Sequence, residues 1–313
     1  MELFGAVEGG GSKFICAIAS DADPSKVLQT ARFETRDPIQ TLFEVAEFFR
    51  NGERQFQGRL AGLGIGCFGP IELDRASDQF GSILSTPKPE WQFVPVVRVL
   101  SEKLDLPLER ISWDTDVNAA ALGEARWGAG KGADPIIYLT VGTGIGGGCL
   151  VNQQPIHGLL HPEIGHMLLP RIRMPDGSED LFPGFGCPFH DRCWESMASG
   201  PALAARLGRP ATDANPDDPV WDIEAQYLAL GIANCVLAIS PRRIVLGGGV
   251  IEGHGEHLLP KIRRYLARAL NGYIDRPEVR DQSDDYVVAA NLRDPSSAIA
   301  GALLMSAGVA SPR

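Results

Sequence analysis

A pattern of strand, glycine-rich turn and strand occurs twice in the sequence, and it restricts the folds open to the chain. The first copy surrounds residue 10 in ELFGAVEGGGSKFICAIAS (2–20), and the second surrounds residue 144 in PIIYLTVGTGIGGGCLV (135–151). Apolar segments of helical period and a further glycine-ended strand follow each copy. Two such repeats predict an α/β protein of two related lobes, each built from a sheet and helices.

Length and charge narrow the class of protein. The 313 residues are enough for one large domain or two ordinary ones. The formal net charge of −10 argues against a nucleic-acid partner, because such a surface repels phosphate backbones. The sequence has no run of 18 apolar residues and no basic, signal-like start. We therefore expect a cytoplasmic protein that binds neither nucleic acid nor membrane.

The first glycine-rich turn, EGGGSK (8–13), is suited to hold an anion. It lacks the P-loop spacing, and a strand follows it rather than a helix. Glycine lets a ligand approach the backbone, and successive N–H groups form an anion-binding nest. An ordinary hairpin turn is the alternative. The candidate phosphate-binding residues are Gly9, Gly10, Gly11, Ser12 and Lys13, with Glu8 as the candidate holder of a hydrated Mg²⁺.

Two further glycine-rich turns follow. VGTGIGGG (141–148) matches the dinucleotide fingerprint G-x-G-x-x-G, but that fingerprint requires a helix at the glycines, and the residues after it predict a strand. We interpret this turn as a second phosphate-binding hairpin. LGGGV (246–250) ends a buried strand and would let a flat base or sugar lie on bare backbone. The residues assigned to the nucleotide are Gly142, Thr143, Gly144, Gly247, Gly248 and Gly249.

A carboxylate at the end of a strand is the candidate base. WDTDVNAAALGE (113–124) places Asp114 and Asp116 where a strand meets a helix, and ligands of open α/β sheets collect outside the carboxyl ends of strands. Phosphoryl transfer from ATP to an alcohol needs Mg²⁺, phosphate donors and one carboxylate that accepts the hydroxyl proton. Asp116 is the candidate for that role, and a helix N-cap is its alternative role.

A cluster of cysteine and histidine predicts a zinc site. In CPFHDRC (187–193), three possible ligands, Cys187, His190 and Cys193, are spaced three residues apart. His166 is the best-placed fourth ligand, with His157 and His161 as competitors. Four protein ligands leave no position for water, so such a metal would be structural. Two unrelated thiols and scattered surface histidines are the alternative.

Two glutamates flank the candidate metal ligands. Glu163 precedes His166, and Glu195 follows Cys193. A metal that fixes the loop would hold both carboxylates rigidly, and each could then accept hydrogen bonds from sugar hydroxyls.

Together these motifs resemble the ROK family of sugar kinases and sugar-responsive repressors over nearly the whole chain. The family shares the two-lobed ribonuclease-H-like fold of hexokinase and actin. EGGGSK and GTGIGGG look like its two phosphate motifs, LGGGV looks like its adenosine motif, and DTDVN carries its catalytic Asp at Asp116.

The zinc region is similar to the family in some positions and departs from it in others. EIGH (163–166) matches the signature E-x-G-H, which implies a sugar-binding role for Glu163 and a zinc-ligand role for His166, and Glu195 matches a sugar-binding Glu. Most members carry C-x-C-G-x-x-G-C-x-E, whereas this chain has C-P-F-H-x-x-C-x-E. That variant, Glu8 in the first phosphate motif and TPKPEW (86–91) look like the fructokinase branch.

The resemblance implies an ATP-dependent hexose kinase, most specifically a fructokinase that makes D-fructose 6-phosphate and ADP. MgATP would lie between the lobes, Zn²⁺ would clip the loop, and main-chain groups near Gly69 would join Glu163 and Glu195 in holding the hexose. Kinases for N-acetylhexosamine, glucose or mannose, a sugar sensor without catalysis and a zinc-binding interaction module remain alternatives.

The domain boundaries and the assembly are also predicted. We expect an N-terminal lobe, residues 1–117, on which a C-terminal helix at about 294–313 packs back. Residues 118–293 would form a second lobe that carries the zinc loop, 160–195. The family often forms dimers, which implies a homodimer.

Overall fold

The computed structural model describes residues 1–308 and divides into two compact units. Unit 1 comprises Met1–Lys131, Gly148–Pro162 and the chain from Asn291 onward, and unit 2 comprises Gly132–Gly147 and Glu163–Ala290. The sequence-based boundary at residue 117 lies earlier than the point at which the structure leaves unit 1, because the helix that begins at Asp116 packs on unit 1.

The secondary structure alternates strands and helices, as expected for an α/β protein. The strands are β1 Glu2–Gly9, β2 Lys13–Ala19, β3 Val27–Glu34, β4 Arg59–Cys67, β5 Ile111–Thr115, β6 Ile136–Val141, β7 Ile145–Val151, β8 Gln154–Pro155, β9 Arg243–Gly247 and β10 Val287–Ala289. The helices are α1 Pro38–Gln55, α2 Val96–Leu104, α3 Asp116–Arg126, α4 Trp194–Ala198, α5 Gly200–Leu207, α6 Val220–Ile239, α7 Gly249–Leu270, α8 Pro277–Arg280 and α9 Ser297–Ser306.

The first sheet has the strand order β3-β2-β1-β4-β5. The strands β1, β2 and β3 form an antiparallel meander, whereas β4 and β5 run parallel to β1. The register pairs Gly9 with Cys67 and Cys67 with Thr115, which are the last residues of β1, β4 and β5. The carboxyl ends of these three strands therefore finish level at one edge of the sheet.

Helices cover both faces of this sheet. Four apolar residues of α1 at helical spacing are buried in the core between α1, α2 and the sheet: Leu42, Val45, Ala46 and Phe49. Full burial of one such side chain contributes on the order of 1.5–3 kcal/mol. On the opposite face, Ile299 and Leu303 of α9 pack on Ala6 and Ala17. The sheet is thus the middle layer of unit 1.

Strand β3 was not anticipated in the sequence analysis. Its residues VLQTARFE alternate strictly between half-buried and exposed, which is the period-two signal of a strand with one face toward the protein. In the sequence itself only the last four residues, ARFE (31–34), alternate between apolar and polar, so the strand signal was short.

The second sheet has the order β10-β9-β6-β7-β8. Strands β10, β9 and β6 are parallel, and the register pairs Thr140 with Gly247, so β6 and β9 end at the same level. The long helix α6 is apolar enough to cross a membrane by length and composition alone. In the structure, 56% of its most apolar window is buried, as in the core helix of a globular unit.

Helix α7 begins at Gly249, within the third glycine-rich turn. Gly248 has a φ of +86°, a backbone conformation that residues other than glycine rarely adopt, and it ends β9. The helix starts at the next residue, so its amino end lies directly at the third glycine-rich turn.

Helix α9 lies so close to α3 and β4 that backbone atoms of these elements approach one another directly. A Cβ atom on Gly301 would lie 1.7 Å from the carbonyl oxygen of Ala119, and a Cβ atom on Gly64 would lie 1.9 Å from that of Ala302. Glycine is therefore required at both positions. The last residues of the predicted C-terminal helix segment, 309–313, lie outside the described residues.

Glu124 links α3 to the chain that enters α9. Its fully buried carboxylate accepts hydrogen bonds from the Ser297 hydroxyl (2.6 Å) and from the backbone N–H groups of Asn291 (3.2 Å), Leu292 (3.1 Å) and Ala129 (2.6 Å). These donors satisfy a charge that would otherwise be costly to bury. Helices α3 and α9 are thus held together by both close packing and a buried hydrogen-bond centre.

We predict that Gly301→Ala destabilises the protein by about 1–3 kcal/mol, because the added methyl group overpacks the contact between α9 and α3. Gly253→Ala is the matched control, since a Cβ atom on this exposed helical glycine meets no atom within 4 Å. It should stabilise the protein by up to about 1 kcal/mol through helix propensity. Urea denaturation measures both changes, and equal effects of the two substitutions would contradict the packing described here.

Candidate active site and metal centre

The first glycine-rich turn joins β1 to β2 at the carboxyl edge of the first sheet. The N–H of Gly10 donates to the carbonyl oxygen of Lys13 (2.8 Å), and the Thr35 hydroxyl donates to the carbonyl oxygen of Gly10 (2.7 Å). Gly11 and Ser12 are exposed. The turn is therefore fixed at its base and open at its tip, as an anion-binding turn requires.

Glu8 lies at the same edge and is oriented from α9. The Ser296 hydroxyl donates to the Glu8 carboxylate (2.6 Å), and the oxygen of Ser296 also caps α9 by accepting from the N–H of Ile299 (3.3 Å). A carboxylate held in this way can bind Mg²⁺ through the oxygen atoms and water that this ion prefers.

Asp116 is the first residue of α3, and Thr115 is its N-cap. The Thr115 side chain accepts from the N–H of Asn118 (3.1 Å), while Oδ1 of Asp116 accepts from the N–H of Val117 (2.9 Å). The capping role considered for Asp116 thus belongs to Thr115. Since Thr115 is in register with Cys67 and Gly9, Asp116 follows β5 at the edge where the first glycine-rich turn follows β1.

Gly69 also follows a strand at this edge. It comes after β4, and the N–H of its neighbour Phe68 donates to the carbonyl oxygen of Gly9 (2.7 Å). Unit 1 therefore brings together the predicted residues of the first turn, Asp116 and Gly69.

A buried network behind Asp116 was missed in the sequence analysis. Asp114 accepts hydrogen bonds from the N–H of Thr115 (2.7 Å) and from Nδ2 of Asn118 (2.7 Å), and its other oxygen is 3.0 Å from Nε2 of His157. Burial lowers the pKa of His157, but the hydrogen bond and the charge of Asp114 outweigh burial and raise that pKa above 6.5.

The two histidines considered as competing metal ligands therefore have other partners. His157 pairs with Asp114, and Nε2 of His161 accepts from the N–H of Ile71 (3.1 Å). Burial is the main cause that lowers the pKa of His161, so this imidazole is held neutral. Both residues belong to unit 1, whereas His166 belongs to unit 2.

The second and third glycine-rich turns are neighbours within unit 2. The N–H of Gly142 donates to the carbonyl oxygen of Gly144 (2.9 Å), and the N–H of Gly200, at the start of α5, donates to that of Gly142 (2.8 Å). A Cβ atom on Gly142 would lie 3.8 Å from the backbone nitrogen of Gly249, whose own Cβ position is open. Bare backbone and the amino end of α7 thus adjoin one another, an arrangement that suits anionic groups.

The four predicted metal ligands converge. The ligand atoms of His166, Cys187, His190 and Cys193 all lie within 4.8 Å of one another. Sγ of Cys187 is 3.6 Å from Nδ1 of His166 and 3.7 Å from Nδ1 of His190. With Zn–S bonds of about 2.3 Å and Zn–N bonds of about 2.0 Å, the corners of a tetrahedron lie about 3.4–3.8 Å apart. The two distances from Cys187 lie in this range, so the cluster could hold a zinc ion after small side-chain adjustments.

Glu195 connects this cluster to the second glycine-rich turn. Cys193 caps α4, and Glu195, in the first turn of that helix, accepts from the N–H of Ile145 (3.0 Å). A Cβ atom on Gly144 would lie 2.3 Å from the Glu195 carboxylate, so only glycine allows this approach. The fully buried Trp194 anchors α4 against Gly231 of α6.

Glu163 precedes His166 in a short 3₁₀ turn, and its carboxylate is close enough to Glu195 for the two charges to interact. The pKa of Glu163 is raised above its ordinary value, and the main cause is desolvation by neighbouring atoms, although part of the residue is exposed. The charge of His166 acts in the opposite direction, and the charge of Glu195 adds to the rise. Unit 2 therefore brings together both predicted sugar-binding carboxylates, the four candidate ligands and two glycine-rich turns.

A second anchor holds the loop that leads to Cys187. The buried Asp180 receives two hydrogen bonds from the guanidinium of Arg206 (3.1 and 2.7 Å) and one from the hydroxyl of Tyr227 (2.6 Å). Burial raises the pKa of Asp180, but these donors and the Arg206 charge lower it below 3.8. The pairing partners are distant in sequence, so no local pattern indicated this ion pair.

We predict that the contact between His157 and Asp114 stabilises the fold at low pH. Because the folded-state pKa of His157 is raised, the stabilisation is fully present below about pH 6.5 and is lost as pH rises through the folded-state value. His157→Gln should reduce the free energy of unfolding by about 1.5–3 kcal/mol near pH 6, and by less near pH 9.

Urea denaturation at the two pH values measures this difference. His254→Gln is the control, because burial lowers the pKa of His254. Replacing His254 should therefore change the free energy of unfolding more favourably at the lower pH than at the higher one. A His157→Gln effect that is independent of pH, or that grows toward pH 9, would contradict the ion pair.

Comparison with known proteins agrees with this geometry. The ROK family model matches residues 4–307. A fructokinase from Zymomonas mobilis is 42% identical over 276 residues, which is 88% of each chain, and a putative fructokinase from Bacillus subtilis is 36% identical over 97% of this chain and 95% of that protein.

Two solved structures are similar along nearly the whole chain. A ROK hexokinase from Thermus thermophilus has 27% identity and a TM-score of 0.69 over 96% of this chain and 97% of that one. A ROK family glucokinase from Streptomyces griseus, in complex with glucose and AMPPNP, has 25% identity and a TM-score of 0.71 over 96% and 98%. The chain belongs to the ROK family, as its motifs predicted.

Proposed function

We propose that this protein is an ATP-dependent fructokinase that converts D-fructose and ATP into D-fructose 6-phosphate and ADP. The observation that carries this function is the edge of the first sheet, where Asp116 and the open turn at Gly9–Lys13 emerge from strands of the same register. The relatives named fructokinase, at 36–42% identity over most of the chain, support fructose as the substrate.

The three glycine-rich turns would bind the nucleotide. The turns at Gly9–Lys13 and at Gly142–Gly144 would donate backbone N–H groups to the phosphates, and Gly247–Gly249 would leave room for the adenosine. Glu8 would hold Mg²⁺ through water, and this ion, when bound, would offset the negative charge of the β- and γ-phosphates.

Asp116 would act as the general base. As the 6-hydroxyl oxygen of fructose bonds to the γ-phosphorus, the hydroxyl proton passes to the Asp116 carboxylate and the bond from the γ-phosphorus to the bridging oxygen of ADP breaks. Such a base contributes on the order of 10²–10⁴-fold in rate. Because Thr115 caps α3, Asp116 does not have to serve as the N-cap of this helix.

Glu163 and Glu195 would hold the sugar, together with backbone groups near Gly69. Each carboxylate accepts hydrogen bonds only, which matches the hydroxyl donors of a hexose. The N–H of Ile145 keeps Glu195 in place, and the rigid α4 supports it. A precise position is required, since a small displacement of a substrate group lowers the rate strongly.

We further propose that His166, Cys187, His190 and Cys193 bind one structural Zn²⁺ that clips the 160–195 loop. The convergence of two sulfur and two nitrogen donors within 4.8 Å of one another supports zinc over Mg²⁺ or Ca²⁺, which prefer oxygen ligands. With four protein ligands, the ion would keep the positions of Glu163 and Glu195 and would take no part in the chemistry.

A glucokinase activity is the second candidate. Glucokinases from Halalkalibacterium halodurans and Streptomyces coelicolor are 30% and 28% identical to this chain, which is less than the identity to the fructokinases. A cytoplasmic location agrees with the cysteines, which form no disulfide within residues 1–308. The homodimer stays a prediction.

We predict that ADP release in a coupled assay is faster with fructose than with glucose, mannose or N-acetylmannosamine. Asp116→Asn should lower kcat by about 10²–10⁴-fold, because it cannot accept the proton, while the affinity for fructose and ATP stays within about threefold of the original. Asp105→Asn, at the end of α2, is the control and should leave kcat unchanged.

Two outcomes would contradict this assignment. An Asp116→Asn variant with full turnover would show that Asp116 is not the general base. A wild-type protein that releases no ADP with any of the four sugars would refute the kinase assignment.

We also predict about one zinc per chain by elemental analysis. Cys187→Ala should lose the metal and increase amide hydrogen exchange in residues 183–197, whereas the anchor of Asp180 on Arg206 should keep exchange at 171–182 unchanged. Cys235→Ala, which removes a buried thiol outside the cluster, is the control and should retain the zinc. A Cys187→Ala protein with normal exchange and an unchanged KM for fructose would contradict the clip.

A further inference from the structure

The segment TPKPEW (86–91) has no role in the function described so far, yet it is held firmly against the first glycine-rich turn. Trp91 is fully buried, its ring stacks on that of Phe14 with centroids 5.3 Å apart, and its Nε1 donates to the carbonyl oxygen of Arg36 (2.9 Å). Phe14 is the second residue of β2, directly after the turn. The segment is therefore anchored on the strand that leaves the turn.

This anchor places Lys88 over the tip of the turn. A Cβ atom on Gly11 would lie 3.5 Å from Cε of Lys88, and no other atom outside the adjacent residues lies within 4 Å of that position. The terminal methylene of Lys88 thus lies beside the tip of the turn, and the ammonium is one bond beyond it. Pro87 and Pro89 flank Lys88, and their fixed φ angles restrict the backbone there.

The ammonium of Lys88 lacks an anionic partner in the part of the chain that the structure describes. Within residues 1–308, the Lys88 side chain forms no ion pair and no hydrogen bond. Arg36, the cation on the neighbouring segment, is instead paired with Glu34 (3.2 Å) and with Glu44 (3.6 Å). A half-buried cation next to a nest of N–H donors concentrates positive charge, which favours an anionic ligand at this point.

We propose, on the basis of the kinase function above, that Lys88 is a further catalytic residue whose ammonium binds the γ-phosphoryl group of ATP. A phosphoryl group in transfer carries negative charge on its three equatorial oxygens, and a fixed cation beside them stabilises the transition state. Lys88 keeps its proton throughout and forms no covalent bond. The proton of the sugar hydroxyl still passes to Asp116, and ADP is still the leaving group.

Lys88→Met tests this role, because it removes the charge and retains most of the side-chain volume. We expect kcat with fructose to fall by at least about 100-fold, while KM for fructose changes by less than about threefold. Binding of AMPPNP, measured by calorimetry without sugar, should weaken by about tenfold, whereas binding of ADP should stay within about twofold because ADP has no γ-phosphate. Lys88→Arg should recover part of the activity.

Lys103→Met is the matched control, since Lys103 is a half-buried lysine on α2, and it should leave kcat and both nucleotide affinities unchanged. Equal losses of AMPPNP and ADP binding, a kcat within threefold of the original, or a rise in KM for fructose alone would overturn the assignment. The thermal midpoint of Lys88→Met should match that of the original protein, and a fall that accounts for the lost activity would also overturn it.

The calorimetric measurement separates this inference from the kinase assignment. A wild-type protein that binds AMPPNP and phosphorylates none of the sugars would refute the proposed fructokinase. The difference between AMPPNP and ADP binding in Lys88→Met would still show whether Lys88 contacts the γ-phosphate.

Discussion

The contact between α3 and α9 is the constraint on which the candidate site of unit 1 depends. Gly301 and Gly64 let the backbone of α9 touch α3 and β4, and the Glu124 carboxylate joins α3 to the segment that enters α9. Helix α3 begins with Asp116, and the N-cap of α9, Ser296, orients Glu8. The helix pair α3 and α9 therefore positions the candidate base and the candidate Mg²⁺ ligand. A side chain at residue 301 would force these two helices apart. Catalysis that depends on positions correct to a fraction of an ångström requires such a rigid support.

Unit 2 achieves the same rigidity by a different means. Its loop from Glu163 to Cys193 has little apolar core of its own, and leucine and phenylalanine side chains of this loop are exposed. Buried polar contacts and the convergent cysteines and histidines take the place of that core. Glu195 is the point at which this support reaches the backbone of the second glycine-rich turn. One carboxylate thus links the candidate sugar-binding residues of unit 2 to its candidate phosphate-binding turn.

Local patterns in the sequence were sufficient to predict the α/β class, the three glycine-rich turns and three of the four candidate metal ligands, Cys187, His190 and Cys193. Each depends on residues close together in the chain or on glycines whose flanking strands are apolar. For the fourth ligand these patterns left three histidines open, and the family resemblance implied His166. The partner of His157 and the long-range donors to Glu124 could not be predicted, because these residues are brought together only in the folded chain. Thr115 as the N-cap of α3 is different, since it accepts from an N–H only three residues later, and this local signal was not used. The start of α7 depends on the positive φ of Gly248, which the sequence permits but does not require. Strand β3 gave only a short signal, since the alternation of apolar and polar residues is confined to its last four residues.

The central claim is that the chain moves the γ-phosphoryl group of ATP to the 6-hydroxyl of fructose. The most direct measurement is carbon-13 NMR of the reaction of ATP with D-fructose labelled at carbon 6. If the claim is correct, the signal of the labelled carbon will split through coupling to phosphorus, and the split signal will grow in step with ADP. A labelled carbon that remains unsplit while ADP accumulates would mean that another hydroxyl, or water, receives the phosphoryl group, and it would contradict the account.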